Sequence, residues 1–490
     1  MALTDEEESK LRAIITAFDE GQQVDDLPLT DTNVSDKDIE VFDRKSGSSG
    51  RIGLQEAVRQ ANSPWCARVW NNANSTPKAA TWAGSLEFLQ TLQDQLELGC
   101  YLVKNDHTRR KLDPTNHYRY ATGETAKLDG SMGHYQWGWG KVFYLAFYTV
   151  GGLFYEAISL SPIPGQYNYK IPVGSLSAHG FACMDRDTTT LISCINSDER
   201  YRGGNNDSTN DDTNKTLLGR AVSNSTIETF RAAARKNGSG WLAGTMRHSM
   251  VVKTLFEIIF GTRDFQTAYN AEKDSDGLYQ GGLGMGVTEF SSWSSYNSYA
   301  PFLPTDVAVE LGDSCGVVDY EVKDNEDTVV HTTHVPVFFG LKNAIGYLWR
   351  MQDDEFVRCN EDTSTTHLVA PSIYGTWTIG NETGMVAYST SPTNGYGYVS
   401  AVAYTNLENF PTQFGGSSGT YYGSHFWNNS GATSGFRLVI RGCNAGDGSH
   451  AGLSAVSVDY VVSTARAALG VPLCEADDEW PVEPTYAAAA

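Results

Sequence analysis

Several groups of residues carry side chains that could do chemistry. His331-Thr-Thr-His334 places two imidazoles close together. The run HTTHVPVFFG reads as a strand, where i and i+3 face opposite ways, so one metal ion would not reach both. Asp274 and Asp276 ahead of Gly277 make part of a Ca²⁺ loop, and Arg202 to Lys215 is rich in Asn and Asp, but neither has EF-hand spacing. The eight cysteines, at 66, 100, 183, 194, 315, 359, 443 and 474, include no C-x-x-C pair and read as reduced, buried small residues. GGLGMG, Gly281 to Gly286, lacks the lysine of a phosphate loop and reads as a loop needing close backbone packing. No G-x-S-x-G elbow or Walker motif is present. Acid pairs for glycoside chemistry depend on carboxylate separation, which sequence does not give. No catalytic residue, cofactor or metal is therefore expected.

A different chemistry, recognition, is carried by two stretches. GTYYGSHFWNNSG, Gly419 to Gly431, sets Tyr and Trp beside Ser, Gly and Asn. Such rings give large contact area at little rotamer cost, and the small polar residues give adaptable hydrogen bonds. Exposed aromatics beside amides also suit carbohydrate. The alternative is an ordinary strand whose rings, including Phe426, face the core. In FRLVIRGCNAGDGSHAGLSAV, Phe436 to Val456, a strand-like run meets a small-and-polar loop before the apolar pattern resumes at Leu453. That loop is either a plain turn or something a rigid strand displays.

The elements that must hold these loops read as follows. Leu11, Ile14, Ile15 and Phe18, after a capping box at Thr4 and Glu7, form one apolar helical stripe ending at Gly21. An acidic linker follows; residues 1 to 40 hold twelve Asp/Glu against three Lys/Arg. The stripe needs a partner or a fold-back onto its own core. RIGLQEAVRQA and SLEFLQTLQDQLELG have helical spacing, the second ending at Gly99. Val142 to Leu160, the most apolar window, reads as two strands around Gly151-Gly152 and not as a membrane span. Ser225 to Gly238 reads as a helix with Ser225 as cap and Glu228 at its third position, and His248 to Gly261 as a core helix. Strands and glycine-rich loops dominate beyond residue 262.

Composition limits the partners. Of 490 residues, 58 are acidic and 36 basic, for a net charge of −22. No Lys/Arg cluster exists, which sets aside nucleic acid and polybasic membrane binding. The opening MALTDEEESK lacks the basic start and apolar run of a secretion signal.

Three segments line up in order: Asn270 to Asn297; Gly340 to Asp354 with N-x-x-G-x-x-W at Asn343, Gly346 and Trp349; and the stretch from GFRLVIRG through Ala451-Gly452 to LGVPL. This order resembles the C-type-lectin fold of the formylglycine-generating-enzyme type. It is most similar to the branch found in phage tail or fibre proteins, including targets of diversity-generating retroelements. GHYQWGWGK, SDERYRGGNN and QTAYNAEKDSDGLYQGGLGMG also resemble virion proteins of phages infecting gut Bacteroidetes. The resemblance implies a scaffold of Asn343, Gly346 and Trp349, with Arg437 and Arg441 tying loops to the core and Gly442 and Gly452 allowing turns or close packing. It implies a display surface of Asn444, Asp447, Ser449, His450, Asp459 and Tyr460, joined by Tyr421, Tyr422, His425, Trp427, Asn428 and Asn429. Members that oxidise a cysteine use two thiols; Cys443 and Cys474 are the candidates here, and Cys443 reads instead as a small residue at a tight site.

The expected fold class is α+β: a helical N-terminal region, a mixed central region and a C-terminal C-type-lectin-like domain. The expected divisions are 1–45 (helix and acidic linker), 46–235 (mixed α/β), 236–474 (lectin-like) and 475–490 (acidic tail). The expected function is a non-enzymatic virion component on the particle's outer surface. Its N-terminal helix would dock on other virion proteins, and its loops would contact host glycan or protein. It would form a homo-oligomer, with no nucleic acid and no membrane insertion. The alternatives are a purely structural collar, head-decoration or tail-ring protein, and an oxidase.

Overall fold

Val142 to Leu160 folds as two strands, Phe143–Val150 and Leu153–Ser159, paired antiparallel with Leu153 opposite Val150. The tight turn needs positive φ at both central positions, which Gly151 (59°) and Gly152 (80°) supply. The computed structural model describes residues 38–43, 48–53, 64–76, 81–204, 217–296, 301–391, 395–404, 409–429 and 431–488. In it the hairpin lies inside a six-stranded sheet ordered Thr485–Tyr486, Tyr167–Ile171, Phe143–Val150, Leu153–Ser159, Trp65–Trp70 and Thr81–Gly84.

Two larger sheets follow. A seven-stranded sheet runs Trp241–Ala243, Leu473–Ala476, Gly174–Ser177, His134–Trp139, Gly99–Val103, Arg109–Asp113 and Asn116–Tyr120. Within it, Glu475 is fully buried and is held by Arg109, His107 and Ser175 at 2.7 to 3.0 Å. A nine-stranded sheet runs Val386–Ser391, Thr365–Val369, Trp349–Cys359, Phe436–Arg441, Val456–Ser457, His425–Asn428, Gly395–Ala403 and Phe410–Phe414, with Leu469–Gly470 added beside Trp349–Cys359.

The fold class differs from expectation. Among the described residues strand makes up 38% and helix 11%, with four helices and a sheet curled into a half-barrel, so the protein is mostly β and not the expected α+β with a helical N-terminal region. The expected N-terminal helix lies outside the described residues. Of RIGLQEAVRQA, Arg51 to Gly53 belong to the strand Ser48–Gly53, paired with Asp38–Asp43, and the rest lies outside the described residues. SLEFLQTLQDQLELG becomes two short helices, α1 (Leu86–Gln90) and α2 (Leu92–Gln95), because Thr91 leaves helical geometry at φ −111° and ψ 13°.

α3 (Ile227–Arg235) is capped by Thr226, one residue later than expected, whose hydroxyl accepts from the Thr229 N–H at 3.2 Å. α4 (Met246–Phe260) is capped by Thr245 and ended by Gly261, which takes left-handed geometry at φ 64°. Every α4 residue except Ser249 is buried. It packs against Trp65–Trp70 and Leu153–Ser159 of one sheet and Trp349–Cys359 of another, and so joins them. Burying Arg247, Lys253 and Glu257 is tolerable only with partners. Arg247 pairs with Asp354 and Lys253 with Glu257, each at 2.7 Å. Among the described residues no helix is long and apolar enough to cross a membrane.

Candidate functional site

The strand Phe436–Arg441 lies against Trp349–Cys359, and one ionic group locks the two. Arg441 donates Nε to Glu355 Oε1 at 2.6 Å and Nη2 to Oε2 at 2.8 Å, a bidentate pair, while His367 Nε2 meets Oε2 at 2.6 Å. Burial opposes ionisation of Glu355, but Arg441 and His367 outweigh it and hold the carboxyl at about 2. Gly442, at φ 95°, stands where a Cβ would come within 2.1 Å of the Ile345 carbonyl. A Cβ at Gly346, at φ 91°, would lie 2.8 Å from the Leu348 carbonyl, and one at Gly452 would lie 2.1 Å from Ser424 Oγ. Asn343 takes φ 53° in a turn whose carbonyl accepts from Arg350. Arg437 is half-buried and donates to the Phe436 carbonyl at 3.2 Å.

Beyond this anchor the sheet opens to solvent. His425–Asn428 pairs antiparallel with Gly395–Ala403, setting Trp427 opposite Tyr396 and His425 opposite Tyr398. Alternation puts all four on one face. The short 3₁₀ turn Gly448–His450 brings its imidazole over them. His450 lies 4.6 Å from the His425 ring, 5.5 Å from Tyr398 and 5.9 Å from Trp427. The Tyr398 hydroxyl is 3.3 Å from Ser449 Oγ. Underneath, Trp349 meets Trp427 edge-to-face at 5.1 Å.

The outer part of this group is accessible. Tyr396 is 63% exposed, Ser449 and His450 are exposed, and Trp427 is half-buried. His425 is buried, and its Nδ1 finds no hydrogen-bond partner. Burial, helped by His450, lowers its imidazole to about 4, so the ring is neutral near pH 7. Aromatic faces beside hydroxyl and imidazole groups suit a ring with one apolar and one polar face.

The remaining candidates lie elsewhere. Tyr421 and Tyr422 turn to a cleft of about 470 Å³, shared with Asn72, Phe154, Ser400, Tyr404 and Gln413. Behind it Arg263 sits over Trp70 at 4.1 Å and over Tyr422 at 4.7 Å. Trp70 Nε1 donates to Glu156 at 2.6 Å. Burial and the charge of Glu156 push Glu257 up to about 8, against the pull of Lys253 and Arg263. Asn428 is buried. The Asn429 N–H donates to Asp459 at 2.6 Å, and Tyr460 is half-buried under the Arg466 guanidinium at 4.9 Å. Asn444 donates its N–H and side-chain amide to Asp447 at 2.7 and 3.1 Å, closing the turn on itself, and burial raises Asp447 to about 6. The structure thus joins His425, Trp427, Ser449 and His450 in one patch. It adds Tyr396 and Tyr398, which sequence reasoning missed although GYGYVS carries rings at i and i+2.

The other motifs stay apart. His331 stacks on Phe290 at 4.6 Å while His334 meets Asp319 at 2.6 Å. Asp274 accepts from the backbone of Asp276 and Leu278, each at 2.9 Å. A Cβ at Gly281 or Gly282 would lie 2.3 Å from a carbonyl oxygen. All eight cysteines are free, and Cys443 donates to the Gly346 carbonyl at 3.0 Å. No family model and no curated protein matches the chain.

Proposed function

We propose that this chain is a binding component of a phage particle, without catalytic activity, that contacts glycan on the host surface. Its contact would be made through Tyr396, Tyr398, His425, Trp427, Ser449 and His450. The observation that carries this reading is the convergence of two tyrosines, a tryptophan and two histidines on an open sheet face, above a closed Arg441–Glu355–His367 anchor. The virion setting rests on the sequence resemblance. A patch of six side chains gives modest affinity by itself; repeated copies on one particle multiply it through effective concentration.

The test is interferometry of the purified protein against surface polysaccharide from gut Bacteroidetes strains. Binding is expected to fall about tenfold or more, roughly 1.4 kcal/mol or greater, in a Tyr396→Ala/Trp427→Ala double variant whose circular dichroism is unchanged. Equal binding by the variant, or no binding by the wild type to any polysaccharide tested, would overturn the reading.

A further inference from the structure

We propose that Cys100, His117 and Asp313 form a site for a zinc-class metal ion, which staples the loop after the 3₁₀ turn Val309–Leu311 to the seven-stranded sheet. Cys100 lies on Gly99–Val103 and His117 on Asn116–Tyr120, the strands on either side of Arg109–Asp113. Asp313 arrives from a distant segment, its N–H donating to the Pro114 carbonyl at 2.8 Å and its Oδ1 accepting the Cys100 N–H at 2.9 Å. One ligand atom from each residue lies within 4.8 Å of the other two, and His117 Nε2 is 3.0 Å from Asp313 Oδ1. Metal bonds of about 2.0 Å to N and O and about 2.3 Å to S, set tetrahedrally, require ligand separations of about 3.3 to 3.6 Å. Small shifts would bring the three donors to that spacing.

Three further features point to an ion. Asp313 is 9% exposed at its side chain, yet its second oxygen is buried with no hydrogen-bond partner. A buried lone carboxylate oxygen is costly unless something positive meets it. Glycines also clear the space. A Cβ at Gly99 would lie 2.2 Å from Asp313 Oδ2, and one at Gly340 would lie 2.9 Å from Cys100 Sγ and 2.7 Å from Asp313 Oδ1. Finally, His117 Nδ1 is 2.6 Å from the Tyr135 hydroxyl, which in turn accepts from Lys342 Nζ. Holding one ring nitrogen this way turns the other toward the ligands, as outer partners do in metal sites. Without an ion the same residues form a hydrogen-bonded pair, His117 with Asp313, beside a thiol donating to the Gly340 carbonyl at 3.5 Å. In that arrangement the buried Lys342 ammonium and the Cys100 thiol offset the Asp313 charge, and its second oxygen still makes no hydrogen bond.

One sulfur, one nitrogen and one oxygen donor favour Zn²⁺ or Co²⁺ over the all-oxygen preferences of Mg²⁺ and Ca²⁺. The ion would replace the thiol proton of Cys100 and the hydrogen between His117 and Asp313. The Gly340 carbonyl or a water would complete the shell.

The test strips the full-length protein with chelator and titrates it with Co²⁺, then with Zn²⁺. Expected are one equivalent of bound Co²⁺ with a thiolate-to-cobalt charge-transfer band, loss of that band on adding Zn²⁺, and a higher melting temperature with either ion. Asp313→Asn, close in shape, should weaken Co²⁺ binding at least tenfold, and Cys100→Ser should abolish the band. If either variant fails to fold, the wild-type titration decides. No band and no change in melting temperature in the wild type, or a band that survives in Cys100→Ser, would overturn the proposal.

Discussion

The Arg441–Glu355–His367 anchor and the Tyr396–His425–Trp427–His450 patch belong to the same nine-stranded sheet, yet they treat polar atoms in opposite ways. In the anchor both Glu355 oxygens are taken, and its groups are almost wholly buried. In the patch His425 Nδ1 has no partner, and rings on neighbouring strands face solvent. The first arrangement fixes strand register; the second presents the Tyr396 ring and the Ser449 and His450 side chains to solvent at a place already held rigid. A site placed on strands and braced from below loses little entropy on binding. The comparison therefore assigns stability to one group and recognition to the other, and each assignment can be broken separately.

The largest effect should come from the anchor. Arg441→Met strips the buried Glu355 of its bidentate guanidinium and leaves it only His367, and should cost about 3–5 kcal/mol in chemical denaturation. A loss below about 1 kcal/mol would mean that the pair does not hold the strands. Next in size, Trp427→Ala should cost only about 1–2 kcal/mol, since the ring is half-buried on Trp349, while binding falls about tenfold. A loss as large as that of Arg441→Met would recast Trp427 as framework.

The remaining effect is a pH dependence. His425 is lowered to about 4 in the folded chain from an ordinary value near 6.5. Between those values the unfolded chain binds more protons, so this residue makes stability rise as pH increases from about 4 to 6.5. His425→Gln should flatten that rise in melting temperature, and an unchanged slope would show that the imidazole is not desolvated. Glu355, held at about 2, acts at lower pH: its contribution is present above its unfolded value near 4.5 and is lost as pH falls toward 2. Arg441→Met should remove that acid-side loss.

How much could be read beforehand follows from how local each signal is. The Gly151-Gly152 hairpin and the α4 core helix were legible, because turn glycines and a dense apolar face ended by Gly261 need no distant partner. The cap of α3 was misplaced by one residue, since Ser225 and Thr226 offer the same hydroxyl. The expected helical content failed where spacing alone was the guide: Thr91 splits one helix, and the strand of Arg51 to Gly53 comes from pairing with Asp38–Asp43. In the patch, His425, Trp427, Ser449 and His450 are named by what the resemblance implies for the two loops, among eight other positions that lie elsewhere. Asp447 turns to the Asn444 N–H of its own turn and Asp459 to the Asn429 N–H of a neighbouring loop, as short carboxylates readily do. Cys100, His117 and Asp313 meet only through sheet order and a distant loop, so no spacing could announce them.

Hydrogen–deuterium exchange of the intact protein, with and without saturating Bacteroidetes surface polysaccharide, tests the central claim most directly. The account predicts slowed exchange in residues 395–399, 425–428 and 448–451, with the anchor strand 436–441 unchanged because it is already protected. Slowing confined to the cleft around Tyr404 and Tyr422, or none anywhere despite measured binding, would contradict it.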